Sequence, residues 1–223
     1  MPTRRFIKIA YHLVDIRNFE SIQEHGLLSA TKLIEMSANV SPKLNREHRA
    51  IGQHLDIGAY IRDQRPMPPS LLSRCLQSHM QPGDWYELLN SKIFFWLDLE
   101  RLNRHRNAYR LQEQIVLAVD AREMLSNYGA VAAVSPINTG NAMRAAAKRD
   151  RSTFVPYESW VVDAWKSEII PSMRTRPSGH RPAELTIANA IPDIKNYVIG
   201  SAYLAAAEAI TKDHLVIASN NRT

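Results

Sequence analysis

Tyr11-His12-Leu13-Val14-Asp15-Ile16-Arg17-Asn18-Phe19-Glu20-Ser21-Ile22-Gln23-Glu24-His25-Gly26-Leu27-Leu28-Ser29 is the stretch whose reading decides the fold. Just before and into it, Phe6, Ile7, Ile9 and Tyr11 predict a first strand that ends near His12. Asn18 then suits the N-cap of a short helix whose apolar face is Phe19 and Ile22. Gly26 fits the left-handed position just past its end, which a residue without Cβ adopts at no steric cost. A strand, a loop and a short helix thus form the opening unit.

Working outward, residues 30–80 read as mainly helical, with amphipathic stretches at 51–61 and 71–80. Arg65-Pro66-Met67-Pro68-Pro69 separates them, its prolines stopping one helix and starting the next. Residues 92–97 and 114–119 are short apolar runs rich in aromatic and β-branched side chains, as buried strands require. Asp120 and Glu123 resemble a capping box opening another helix. Further strands are expected at 130–135, 184–190 and 194–199, and a C-terminal helix at 201–212. Residues 136–156 and 172–182 read as long surface loops. The expectation is a single α+β domain over residues 1–223.

Composition narrows the chemistry. With 28 Lys+Arg against 22 Asp+Glu the formal charge is +6, which favours polyanionic partners. Only 8 of 223 residues are glycine, about half the usual share of roughly 7%, so Gly-rich and low-complexity readings fall away. The one cysteine, Cys75, excludes an internal disulfide and any multi-Cys zinc site, and reads as a small buried hydrophobe on a helix. No run approaches the ~20 apolar residues of a membrane span, and a soluble, cytoplasmic protein without membrane partners is expected. Walker, G-x-G-x-x-G, H-E-x-x-H and G-x-S-x-G patterns do not occur. His48, His54 and Asp56 match no metal-ligand spacing and read as a solvated helix face, so no metal is expected.

Dispersed polar and aromatic residues carry what remains: Tyr11-His12, His25-Gly26-Leu27-Leu28-Ser29, Arg62-Asp63-Gln64-Arg65-Pro66, Phe94-Phe95-Trp96, Ser135-Pro136-Ile137-Asn138-Thr139-Gly140-Asn141 and His180-Arg181-Pro182-Ala183-Glu184-Leu185. In this order and spacing the chain resembles the DarT-like branch of the ADP-ribosyltransferase fold, and more closely a family of uncharacterised bacterial proteins related to it, over roughly residues 10–200. The opening stretch is similar to the H-x-x-x-x-x-N-x-x-x-I-x-x-x-G-L-x-S start of that branch. The resemblance implies a split β-sheet with flanking helices that binds NAD as a substrate in a cleft and transfers ADP-ribose to a nucleophile.

Residue by residue, it implies that His12 holds the nicotinamide-side ribose and that Asn18 is a nearby polar contact. Arg62 and Arg65 lie where related chains carry a catalytic or phosphate-binding arginine; Arg65 is favoured because Pro66 fixes its chain exit, and either guanidinium suits a bidentate clamp on the pyrophosphate. Phe94 and Phe95, with Tyr86 and Trp96 beside them, offer a stacking surface, of which one ring need face the cleft. Glu184 matches the acidic residue that starts a late strand. The chemistry suits it independently: breaking the nicotinamide–ribose bond builds an oxocarbenium-like centre, which a fixed carboxylate at the mouth of a cleft stabilises.

Asn138 and Asn141, followed by the basic Arg144, Lys148, Arg149 and Arg151, are expected to border the acceptor and hold a nucleic-acid backbone, with His180 and Arg181 on the neighbouring recognition loop. The resulting expectation is an NAD-dependent mono-ADP-ribosyltransferase acting on DNA or RNA, with a toxin or anti-phage role and an antitoxin partner implied by the resemblance alone. A protein-directed transferase, an RNA 2′-phosphotransferase-like enzyme and an inactive nucleic-acid binding module are the alternatives.

Overall fold

Leu13 and Val14 carry the first strand past His12 by pairing with Val116 and Ile115. In the computed structural model, which describes residues 5–143, 146–171 and 173–215, this strand is β1 (Ile9–Asp15). Helix α1 (Phe19–His25) and β2 (Leu27–Leu28) complete the opening unit. Then come α2 (Ala30–Met36), the hairpin β3 (Gln53–His54) and β4 (Tyr60–Ile61), α3 (Pro69–Cys75) and α4 (Pro82–Asn90). The middle of the chain forms β5 (Lys92–Trp96), α5 (Leu99–Asn107), β6 (Gln114–Asp120), α6 (Ala121–Tyr128) and β7 (Ala132–Ser135). It ends in β8 (Val155–Pro156), α7 (Tyr157–Asp163), β9 (Glu184–Ala188), β10 (Ala190–Ile191) and β11 (Val198–Leu204). The architecture is α+β, as expected.

Seven strands make one antiparallel sheet in the order β11-β6-β1-β5-β9-β7-β8. β1 pairs with β6 along its whole length, from Ile9↔Asp120 to Asp15↔Gln114. β5 pairs with β9 just as completely, from Lys92↔Ala188 to Trp96↔Glu184. Between these two ladders β1 and β5 share the single pair Tyr11↔Trp96. One core cluster joins Phe95, Val119, Val134, Leu185 and Ile187 of the sheet to Trp160 and Trp165. Trp85, Tyr86 and Leu72 of the α3–α4 layer form a second with Phe154, in which Cys75 is buried at the end of α3.

Several expected elements differ. Residues 51–61 are not a helix: Leu55, Ala59 and Ile61 pack on Leu33 and Ile34 from the β3–β4 hairpin, while Ile51 stays exposed. His48, His54 and Asp56 consequently lie on no helix face. Residues 194–196 are a 3-10 turn, and the sequence from Ser201 runs as strand rather than helix, with Ala202 and Leu204 buried and Ser201 and Tyr203 exposed. That alternation has the period of a strand, and it outweighs the helix propensity of the alanine-rich residues 205–207 beyond it. Asn18 stands at the start of α1 but makes no side-chain cap. Its amide instead clamps Tyr60 of β4, donating to the Tyr60 carbonyl (2.9 Å) and accepting from the Tyr60 N–H (2.6 Å). Asp120 caps α6 as expected, accepting from the backbone of Arg122 and Glu123.

Gly26 turns the chain from α1 into β2 with φ +74°, and a Cβ there would lie 2.4 Å from the Ile191 carbonyl oxygen and 2.5 Å from Pro192 Cα. Gly58, at the hairpin turn, has φ +71° but open space around it. Gly58→Ala is therefore expected to cost about 1–2 kcal/mol of unfolding free energy, the left-handed penalty alone. Gly26→Ala should cost clearly more, because β10 must also move; equal losses in urea denaturation would contradict this packing.

Candidate active site

Where the two ladders part, a side chain bridges them. His12 Nδ1 lies 2.8 Å from the Phe94 carbonyl oxygen of β5. A carbonyl only accepts, so Nδ1 carries the proton and Nε2 is left as the acceptor of a neutral ring. Burial pushes the His12 pKa down to about 4, and the nearby Arg62 charge pushes the same way. The seam opens into a cleft of about 640 Å³, within the range of small-molecule and cofactor sites. His12, Arg62, Phe94, Trp96, His105 and Glu184 line it together, although they span 173 positions of sequence from His12 to Glu184.

Glu184 opens β9 opposite Trp96 on one side and Ser135 on the other. It is 3% exposed rather than standing free at the mouth. Its carboxylate accepts from the Thr139 N–H (3.2 and 3.3 Å to its two oxygens) and from Thr139 Oγ1 (2.8 Å). Burial raises its pKa to about 7, against the opposing pull of the Thr139 bonds and of the Arg149 and Arg101 charges. The Thr139 carbonyl in turn accepts from Arg149 Nη1 (3.0 Å) and Trp85 Nε1 (3.4 Å), so Thr139 fixes the 136–141 loop between Glu184 on one side and Arg149 and Trp85 on the other.

The arginine favoured by sequence is not the one in the cleft. Arg65 is exposed and paired with Asp63 at 3.0 Å, whereas Arg62 lines the cavity, 3.5 Å from Asp15 and over the Tyr109 ring at 4.9 Å. Arg62 Nη2 is buried and has no hydrogen-bond partner among the described residues. Burial lowers the Arg62 pKa, and the Asp15 charge offsets part of that loss. Burial of Asp15 favours its neutral form, but the Arg17 bond and the Arg62 charge outweigh it and hold the carboxyl below its usual range. Arg17 completes this corner, 2.6 Å from Asp15 and stacked on Tyr60 at 3.4 Å, the residue that Asn18 clamps.

Of the aromatic run, Phe94 and Trp96 line the cleft, while Phe95 points to the opposite face and is fully buried in the core. Tyr86 is buried too, its hydroxyl donating to the Met67 carbonyl at 2.6 Å. Asn138 and Asn141 line the cleft as expected. Among the described residues, the basic segment after them does not line the cleft. Arg149 is 2% exposed and consumed by the Thr139 contact, Lys148 Nζ donates to the Arg74 carbonyl at 2.8 Å, Arg151 is exposed away from the cleft lining, and Arg144 lies outside the described residues. His180 is half-buried, with Nε2 3.3 Å from the Pro136 carbonyl and its ring edge-on to Trp165, and Arg181 is exposed.

Asp15, Lys92, His105 and Tyr109 belong to the cleft without having been expected there. Asp15 carried a readable signal, an acid ending an apolar strand two residues before an arginine. His105 carried none, because Arg104-His105-Arg106 looks like a solvated helix face; in the structure its ring lies between Trp96 (5.4 Å) and Tyr109 (5.6 Å), and burial lowers its pKa to about 3. Arg49, Arg62, Lys92, Arg101 and Arg104 outnumber Asp15, Asp63 and Glu184 around the cavity, which suits an anionic ligand.

Glu184 retains its proton in the folded chain up to about pH 7, whereas an ordinary glutamate releases it near 4.5. The folded state thus binds more protons than the unfolded one across that window, and the stability Glu184 contributes is present at acid pH and lost as pH rises through about 7. His12 and His105, with lowered pKa values, act in the opposite sense. Urea denaturation of the wild type and Glu184→Gln separates the contributions: the stability of the wild type relative to the variant should fall from pH 5 to pH 8. A flat or rising difference would contradict a protonated, buried Glu184.

No curated protein matches the chain. Residues 8–198, which include β1, the cleft and β9, match the model of a family of unknown function, DUF7002, and the chain belongs to that family.

Proposed function

We propose that the chain is an NAD-dependent mono-ADP-ribosyltransferase whose acceptor is a nucleic acid. The observation that carries this reading is the convergence of His12, Arg62, Phe94 and Glu184 on one cleft at the β1–β5 seam. The single-pair junction also supports reading the sheet as the split sheet of that fold class. NAD enters as a substrate. His12 Nε2 is an acceptor for a ribose hydroxyl, held by the Nδ1–Phe94 bond. Arg62, whose Nη2 has no hydrogen-bond partner among the described residues, suits the diphosphate.

The reaction breaks the bond between C1″ of the ribose and the nicotinamide nitrogen. The bonding pair leaves with nicotinamide, which departs neutral. Positive charge grows at C1″ and the ring oxygen, and an ionised Glu184 in its buried position is worth far more against it than the same charge in water. The acceptor nucleophile then bonds to C1″ and gives up its proton to Glu184. A carboxyl poised near neutrality serves both steps, as anion first and as proton acceptor second.

Glu184→Gln tests the reading. Its side-chain oxygen can still accept from the Thr139 N–H and its amide can donate to Thr139 Oγ1, so the loop contact survives the substitution. Nicotinamide release from labelled NAD should fall by about 10²–10³-fold, the scale of losing one preorganised electrostatic contact, with the circular dichroism spectrum retained. Arg65→Gln, outside the cleft, should stay within about twofold of wild type. Wild-type release by the Glu184 variant would remove the proposed mechanism.

A further inference from the structure

β5 brings into the cleft a second cation that NAD chemistry leaves unassigned. Lys92, Phe94 and Trp96 alternate onto one face of the strand, and Trp96 stands opposite Glu184. Lys92 therefore lies on the same face as the carboxylate, four residues away along the strand, or about 13 Å at the usual rise. Among the described residues its ammonium has neither a hydrogen-bond nor an ion-pair partner. It stands 4.8 Å from the centre of the Phe154 ring, which is 6.4 Å from the Phe94 ring. Burial in this apolar frame pulls the Lys92 pKa below the usual range. A half-desolvated cation facing only ring quadrupoles is held at a cost that an anionic ligand would relieve.

Asn138 and Asn141 place donors on the cleft rim. Asn138 Oδ1 accepts from the Gly140 N–H (3.1 Å) and Asn141 Oδ1 from the Met143 N–H (2.8 Å), and the two amide NH₂ groups have no acceptor among the described residues. Of the carboxylates on this face, Glu184 is engaged by Thr139, and Asp15 by Arg17 and Arg62. The complementary ligand is rich in acceptors, carries an anionic group and presents a flat ring to Phe94. A nucleotide meets all three conditions, whereas an acidic peptide lacks the ring. We propose that Lys92 is the phosphate-recognition subsite of the acceptor, a nucleotide unit whose base stacks on Phe94. This proposal rests on the transferase reading for its purpose, but its binding can be measured alone.

Calorimetry on the full chain without NAD compares a nucleoside 5′-monophosphate, a dinucleoside monophosphate and the bare nucleoside, in ribose and deoxyribose forms. The first two distinguish a terminal phosphate from an internal phosphodiester. The wild type should bind at least one phosphorylated form about tenfold more tightly than the nucleoside, as a charge-assisted contact requires. Lys92→Met should abolish that preference, and Lys92→Arg should restore most of it. Equal binding of nucleoside and nucleotides by the wild type would overturn the proposal whatever the variants do. So would an undiminished preference in Lys92→Met, or an acidic peptide that competes as well as the nucleotides. If the wild type shows Lys92-dependent nucleotide binding yet releases no nicotinamide from NAD, the transferase reading fails and the subsite stands.

Discussion

The hydrogen bond from His12 Nδ1 to the Phe94 carbonyl is the contact on which the rest of the site depends. A full ladder between β1 and β5 would close the sheet and leave no cavity. Without any link, the two ladders would be free to move and the residues on either side would lose register. The pair Tyr11↔Trp96 and the imidazole beside it satisfy both demands with two points of attachment. The bond itself is worth only about 0.5–1.5 kcal/mol of stability. Its larger effect is to fix one tautomer, so that the second ring nitrogen meets any ligand as an acceptor.

Around that seam the charges are arranged in two separate networks. Asp15 lies among Arg17, Arg62 and the rings of Tyr60 and Tyr109, which keeps its carboxylate ionised despite burial. Glu184 is held by Thr139, and Arg149 acts on it from behind the loop, yet burial still prevails and leaves it poised near neutrality. The difference is geometric: Asp15 is bonded directly to a guanidinium, whereas Glu184 receives neutral donors and feels its cations at longer range. One acid thus anchors a cation while the other can exchange a proton.

The legible part of the sequence was the part in which local pattern and tertiary role coincide. The apolar runs at 92–97 and 114–119 became β5, with one face in the core and the other on the cleft, and β6, buried along nearly its whole length. Gly26 has the positive φ that the opening motif required, and Glu184 begins its strand. Sequence pattern and structure part where local and tertiary roles diverge. Ile51, Leu55 and Ala59 recur every four residues as on a helix, but the segment folds as a hairpin in which Leu55, Ala59 and Ile61 are buried against α2. Arg62 and Arg65 are equivalent in sequence, and only the course of the chain past Asp15 sends one inward. Arg149 looked like part of a surface cluster, but the contact that buries it is with Thr139, ten residues earlier and across a loop.

Nitrogen-15 NMR of the His12 ring in the full chain, at pH 7 with and without NAD, addresses the central claim most directly. The expected spectrum shows a neutral imidazole protonated at Nδ1, and the Nε2 resonance moves toward the hydrogen-bonded position as NAD is added. A ring protonated at Nε2, or an Nε2 resonance unmoved at saturating NAD, would contradict the assignment of the β1–β5 cleft as an NAD site.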